Sequence, residues 1–501
     1  MSPMTKKSNA SPPCILWFRD DLRLADNPAL NAAVDAALSL GGGVLCLFIH
    51  DEHSLGLRKL GAAAKWWLGR SLAALDDSLR AKGSGLVVMA GAAEEVLSRC
   101  IAETGATALF WNRRYGGAER ACDSAIKSGL RAKDIRIESF NSHLLNEPWE
   151  VTTQAGTPVK VFTPYWKAAR ARGEPAAPLP APDRIPAFTV PDRLRPLALP
   201  LAGFGFEPAH PDWASGLRAE WQPGEAGAAD RLGTFLDTAL DGYGVNRNRP
   251  DYVSSSRLSP HLRFGEISPR QVWHVARSAV MSGAAKAPVA DLDKFLSEVG
   301  WREFAFHLLY HNPNLASENY NPRFDSFEWQ HDEALLEAWQ KGQTGYPLVD
   351  AGMRELWTTG WMHNRVRMVV ASFLIKHLMI DWRVGERWFW DTLVDACPAN
   401  NAASWQWVAG SGADAAPYFR IFNPFGQGEK FDTGGVYVRK WIPELAKLPN
   451  NLIHRPWQAP QGLLLAAGVT LGSDYPHPVV DHDRARERAL SSYNSTKPNA
   501  A

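Results

Sequence analysis

Cysteine is scarce in this sequence. There are five in 501 residues, Cys14, Cys46, Cys100, Cys122 and Cys397, odd in number, widely spaced and with no Cys-x-x-Cys pair. That pattern excludes a disulfide framework and offers no zinc site, so no metal is expected and a reducing, cytoplasmic setting suits the chain. Charge of one sign is also missing: 54 Lys and Arg oppose 53 Asp and Glu, for a net +1. Whole-chain basicity therefore cannot draw a polyanion, and any nucleic-acid contact needs a local patch. No uncharged apolar run reaches the length of a membrane span, and Met1–Pro13 holds two lysines and no apolar core, so neither a membrane helix nor a secretory leader is expected. No G-x-G-x-x-G follows a strand and no G-x-x-x-x-G-K-[ST] occurs, which removes the two commonest phosphate loops.

Tryptophan, by contrast, is abundant: 21 residues, 15 of them beyond residue 200 and ten between Trp301 and Trp407. From 14 to 145, short apolar runs (14–18, 44–49, 86–90, 108–111 and 135–140) alternate with helical patterns (29–38, 59–80, 92–102 and 118–127). Such alternation predicts an α/β domain with a parallel, five-stranded, doubly wound sheet covered on both faces. Residues 148–211 hold 13 of the 35 prolines, so 146–212 reads as a stiff interdomain linker. From 213 to 490 the periodicity is helical, predicting an all-helical domain. Residues 1–13 read as a disordered N-terminus and 491–501 as a short polar tail.

Three stretches carry residue types suited to chemistry. In 291–311, Phe295, Val299, Phe306 and Leu309 form an apolar stripe, while Glu298 and Arg302 stand four apart beside Trp301. That spacing allows a surface ion pair or a ligand-facing edge. A helix over 361–380 would put Trp361, Asn364 and Met368 on one face. In 391–422, Asp395, Asn400 and Asn401 precede Trp405 and Trp407, and Gly410 and Gly412 permit close backbone approach. Upstream, Tyr243 and the segment from Ser254 cluster hydroxyls and arginines before a helix start, which suits phosphate or a plain helix cap.

The runs LWFRDDLRLADNPAL (16–30), TGYPLVDAGMREL (344–356), TGWMHNRVRM (359–368), IDWRVGERWFW (380–390) and SWQWVAGSGADAAPYFRIFNP (404–424) closely resemble the photolyase/cryptochrome family over about residues 14–490. Within the family the pattern is most similar to bacterial cyclobutane pyrimidine dimer (deoxyribodipyrimidine) photolyases. Asn364 and Met368 stand where (6-4) photolyases carry histidines, and Asn401 stands where plant cryptochromes carry Asp.

The resemblance implies FAD, active as FADH⁻, in the helical domain. It also implies an antenna in the α/β domain: 5,10-methenyltetrahydrofolate, or alternatively 8-hydroxy-deazaflavin. It implies a monomer acting on DNA that carries cyclobutane dimers, splitting them by light-driven electron transfer from the flavin to a flipped-out dimer. The alternative within the fold is a cryptochrome-like blue-light photoreceptor. Carried over, Tyr243, Ser255, Ser256, Arg257, Leu258 and Ser259 would hold the FAD phosphates and ribityl chain. Arg367 and Asp395 would pair beside the isoalloxazine ring and Asn401 would face its N5. Glu298, Asn364 and Met368 would contact the dimer between walls of Trp301 and Trp407. Trp405, Trp382 and Trp329 would carry electrons from the surface. Arg247, Arg302, Arg365, Arg420 and Lys430 would touch the DNA backbone. Cys397 departs from the family, which repeats an Asp near the ring. At the antenna position Glu119 is kept, but Ala118 replaces the Asn of folate-binding relatives.

Overall fold

Apolar at every position, Cys14–Phe18 can only lie inside a sheet covered on both sides. In the computed structural model, which describes residues 11–415 and 419–496, it forms the fully buried central strand β1. β2 (Val44–His50), β3 (Leu86–Ala90), β4 (Ala108–Asn112) and β5 (Arg136–Phe140) complete a parallel sheet in the order β3-β2-β1-β4-β5. Helices α1 (Pro28–Leu40), α2 (Ala62–Ala81), α3 (Ala93–Thr104) and α4 (Gly117–Arg131) alternate with the strands. One apolar layer gathers around Leu16, Phe18 and Trp67, and the other around Trp17, Leu47 and Leu109. Local chemistry sets the ends of α1: Asn27 Oδ1 accepts from the Leu30 amide at 3.1 Å, Pro28 opens the first turn, and Gly41 closes the helix at φ 65°.

The expected linker is more than a connector. Its helix α5 (Phe162–Ala171) packs on the helical domain, with Phe162 stacked on Trp301 at 3.7 Å and Trp166 filling the notch at Gly300, where a Cβ would stand 2.6 Å from the indole. The proline-rich stretch beyond it is tied to the α/β domain. Val44 donates to the Pro186 carbonyl at 2.8 Å and Leu199 to that of Val88 at 2.9 Å.

Two other expectations change. The predicted 361–380 helix is the shorter Asn364–Ser372 followed by one π-helical turn, Phe373–His377. His363 caps it, accepting from the Arg365 amide at 3.2 Å, so Trp361 precedes the helix. The C-terminal helix His482–Ser495 runs past residue 490 because it still has a surface to bury: Tyr493 stacks on Phe419 at 4.6 Å, and Arg323 donates to the Thr496 carbonyl at 3.2 Å. Residues 1–10 of the expected disordered N-terminus, and the expected tail from 497 on, lie outside the described residues.

The two domains meet closely. At Gly265 (φ 68°) a Cβ would sit 2.0 Å from the Asp20 carbonyl, so only glycine allows this approach. Trp67 Nε1 donates to Glu266 at 2.9 Å, and Trp390 Nε1 to the Lys59 carbonyl at 2.8 Å. Among the described residues no helix is long and apolar enough to cross a membrane, and no group of three His, Cys, Asp or Glu could hold a metal ion.

Candidate active site

A cavity of about 690 Å³ opens in the helical domain. That is within the usual range for sites that bury a small molecule or cofactor. The long helix Val289–His311 supplies Glu298, Trp301 and Arg302 to it; the helix Asn364–Ser372 supplies Asn364, Arg365, Arg367 and Met368. The helix Asn400–Ala409 and the loop before it supply Asp395, Cys397, Asn401, Trp405 and Trp407. Segments more than 100 residues apart in sequence thus converge on one cavity.

One end is rich in hydroxyls. Tyr243, Ser256, Leu258 and Ser259 line it, and burial, reinforced by Glu298, raises the Tyr243 phenol. Ser255 and Arg257 are not among the lining residues. Arg257, at φ 50°, ion-pairs with Glu220 and covers the Trp361 ring at 4.6 Å. Deeper in, Arg367 grips Asp395 with two bonds of 3.1 and 2.8 Å. Cys397 is buried among these groups. Burial raises its thiol despite Arg263, and its sulfur accepts from the Asn400 amide groups at 3.5 and 3.4 Å. The position therefore keeps a hydrogen-bond acceptor and lacks a carboxylate's charge.

At the mouth, Glu298 is held by both Arg247 nitrogens and by Lys294 at 2.9 Å. The pair with Arg302 that the spacing allowed does not form. Arg302 is buried and turned toward the α/β domain, donating to the His143 carbonyl at 2.8 Å and meeting the His143 ring at 2.7 Å. Beside it, burial pushes Glu303 up to about 7 against the pull of Arg302. This corrects the expectation for Arg302: a guanidinium committed to the domain junction is not presented to a DNA backbone.

The other four cations do gather. Arg365 bonds Asn248 at 2.7 Å; burial, then Arg247 and Arg420, lower it. Arg365 and Lys430 share the Phe431 ring at 4.6 and 5.2 Å, and Arg420 and Lys430 are exposed.

The three expected electron-transfer tryptophans belong to or pack against one apolar cluster and differ in burial. Trp405 lines the cavity, Trp382 is fully buried with its indole N–H on Asn319 at 2.9 Å, and Trp329 is half-buried against Phe327 at 4.5 Å. Gly385 makes room for Trp405, since a Cβ there would meet the indole at 2.1 Å.

Sequence reasoning missed two residues. Asn401 Nδ2 donates to the Glu386 carboxylate at 2.8 Å and to its carbonyl at 3.0 Å. Glu386 in turn receives Arg58, from the α/β domain, at 2.7 and 2.8 Å. Glu386 lies inside the motif IDWRVGERWFW and could have been noticed there; nothing in the sequence points to Arg58, 328 residues away.

Glu119 does not sit at an antenna-sized site. The cleft beside it holds only about 20 Å³, room for a single water. The neighbouring Gly117 is backed by Pro313, 2.6 Å from where a Cβ would be. The crevice between β1 and β4, where doubly wound sheets hold ligands, is occupied by Arg19, which donates to both oxygens of Asp123 at 2.9 and 2.8 Å. Burial alone would raise Asp123; Arg114 and Arg19 outweigh it and hold the carboxyl below its usual range. These residues do not fit a folate or a deazaflavin, whereas the large cavity fits a flavin dinucleotide. It offers hydroxyls at one end, a paired guanidinium and carboxylate with amides at the other, and indole walls.

Compared with known proteins, residues 14–183 match the family described as DNA photolyase, and residues 295–495 match the FAD binding domain of DNA photolyase. The chain is 51% identical over 485 residues to a deoxyribodipyrimidine photo-lyase of Agrobacterium fabrum, covering 97% of this chain and 98% of that one. It is 40% identical over 480 residues to Cryptochrome-1 of Arabidopsis thaliana, covering 95% and 69%. Among solved structures, a bacterial class III photolyase from Agrobacterium tumefaciens superposes with a TM-score of 0.92 at 49% identity, over 98% of this chain and 99% of that one.

Proposed function

Because this chain belongs to the photolyase/cryptochrome family, we propose that it is a deoxyribodipyrimidine photolyase, a light-driven enzyme that splits cyclobutane pyrimidine dimers in DNA. The carrying observation is the make-up of one cavity. Its mouth presents a carboxyl, an amide and a thioether between two indoles, Glu298, Asn364, Met368, Trp301 and Trp407, and its depth holds a flavin-compatible donor set. Reduced flavin, when bound, supplies under light the electron that opens the C5–C5 and C6–C6 bonds and is then returned.

The chain's own residues bind, orient and stabilise. A dimer inside duplex DNA must leave the stack to reach this cavity, and its distorted pairing lowers that cost; the handling of flipped bases by photolyases is a general precedent. Arg247, Arg365, Arg420 and Lys430 would hold the flanking phosphates without reading sequence. Trp301 and Trp407 would receive the unstacked pyrimidines. Glu298, with the Arg247 and Lys294 cations that hold it, would stand beside a pyrimidine carbonyl, where those cations stabilise the charge that builds in a site cleared of water. Asn401 would face flavin N5, and Arg367 with Asp395 would border the ring. Trp405, Trp382 and Trp329 would reload the flavin with electrons. No step passes through an antenna at Glu119.

The test is ultraviolet absorbance of an oligothymidylate carrying dimers, mixed with reduced protein and lit with blue or near-ultraviolet light. Absorbance should rise in the light and stay flat in the dark. A flat trace with flavin bound and reducible would move the assignment to the alternative within the family, a cryptochrome-like blue-light photoreceptor, a reading favoured by the 40% identity to Cryptochrome-1 of Arabidopsis thaliana.

A further inference from the structure

Glu386 is a carboxylate with only 2% of its side chain exposed, and a buried charge needs a partner. Among the described residues that partner is Arg58, whose two terminal nitrogens take one carboxylate oxygen each at 2.7 and 2.8 Å. The arginine is itself fixed by the domain seam. Its guanidinium lies 3.9 Å over the Trp390 ring, Trp390 Nε1 donates to the neighbouring Lys59 carbonyl, and Gly61 admits the Trp390 carbonyl where a Cβ would be 2.2 Å away. On its other side, Glu386 receives Asn401 Nδ2, whose second bond goes to the Glu386 carbonyl. The nitrogen end of the amide is thus spent, and Oδ1 is the atom left for the cavity that Asn401 lines.

We propose that Arg58 is a positioning residue for the flavin pocket of the other domain: by holding Glu386 as an acceptor it sets which way round the Asn401 amide stands. This rests on the flavin reading above. An acceptor facing flavin N5 matches the reduced ring, which has an N–H there, and mismatches the oxidised ring, which offers a lone pair. Docking of the α/β domain is thereby tied to how strongly the pocket favours the reduced cofactor. Without Arg58, Glu386 is left buried with its charge uncompensated. It then takes a proton or turns away, and Asn401 loses its fixed orientation.

The experiment compares whole, flavin-loaded protein with Arg58→Met and Arg58→Lys, after anaerobic photoreduction, following reoxidation in the dark and the flavin midpoint potential. Arg58→Met should reoxidise about three- to tenfold faster, the factor one hydrogen bond is worth, with a lower potential and unchanged flavin content. Arg58→Lys should fall between it and wild type. A purely structural role would lower thermal stability and flavin content together and leave the potential of the retained flavin unmoved, which overturns the proposal. If Arg58→Met does not fold, Glu386→Gln with Arg58 in place must shift reoxidation in the same direction, and a wild-type rate there overturns the proposal equally. Wild-type protein that binds no flavin would sink the functional reading and this inference with it. Normal flavin binding with an unmoved Arg58→Met sinks the inference alone.

Discussion

Arg247, Arg302 and Arg367 line one cavity with the same side chain, and each has a different task set by what lies opposite. Arg367 is locked to Asp395 in the depth, Arg302 is absorbed by His143 at the domain junction, and Arg247 holds Glu298 at the open mouth. Only the last has a partner that substrate can replace. Glu298→Ala should therefore cut repair by a factor of about two to ten, the range for one lost hydrogen bond, while flavin content stays at the wild-type level. Equal loss of both would make Glu298 a folding residue. The buried Trp382 permits a similar separation. Trp382→Phe keeps an aromatic ring, though a smaller one, and removes the oxidisable indole, so photoreduction of oxidised flavin should stop while pre-reduced protein repairs near the normal rate. Loss of repair in the pre-reduced variant would mean that Trp382 is there for packing.

At the scale of elements, the segment 361–380 shows how a long helical pattern can hide two structures. Its α-helical part is capped by His363, and its π-helical turn ends at His377. Burial, with Arg257 next, pushes His363 down to about 3; burial, with His482 and then Lys376, pushes His377 down to about 3. In the unfolded chain both protonate near pH 6.5, so between about 3 and 6.5 the unfolded state binds more protons and folding stability falls as pH drops. Each histidine contributes about 1.4 kcal/mol per pH unit inside that window. Urea unfolding across the window should show His377→Gln losing less stability per pH unit than wild type, by about that amount. Parallel curves would show that His377 titrates normally in the fold.

For the whole molecule, a net charge of +1 coexists with a local cluster of Arg247, Arg365, Arg420 and Lys430. Four phosphate contacts predict that the logarithm of the duplex binding constant falls with the logarithm of salt with a slope of about −3.6. Lys430→Ala should reduce that slope by about 0.9 and weaken all DNA alike. A slope unchanged by Lys430→Ala removes that residue from the interface, and a slope near zero removes the patch.

The sheet, the helical character of the second half and many of the residues that line the cavity were legible in the sequence. Strand runs such as CILWF are set by local apolarity, and long motifs such as SWQWVAGSGADAAPYFRIFNP identify the family on which the site assignments rest. What the sequence alone could not decide depends on partners distant along the chain. Whether Arg302 faces solvent or His143, whether Glu119 borders a ligand-sized cleft, and whether Glu386 finds Arg58 are settled by how the two domains close on each other. The physical reason is that a charged side chain's role depends on its burial and its counter-charge. Both are properties of the tertiary contact and leave no periodic trace in the sequence.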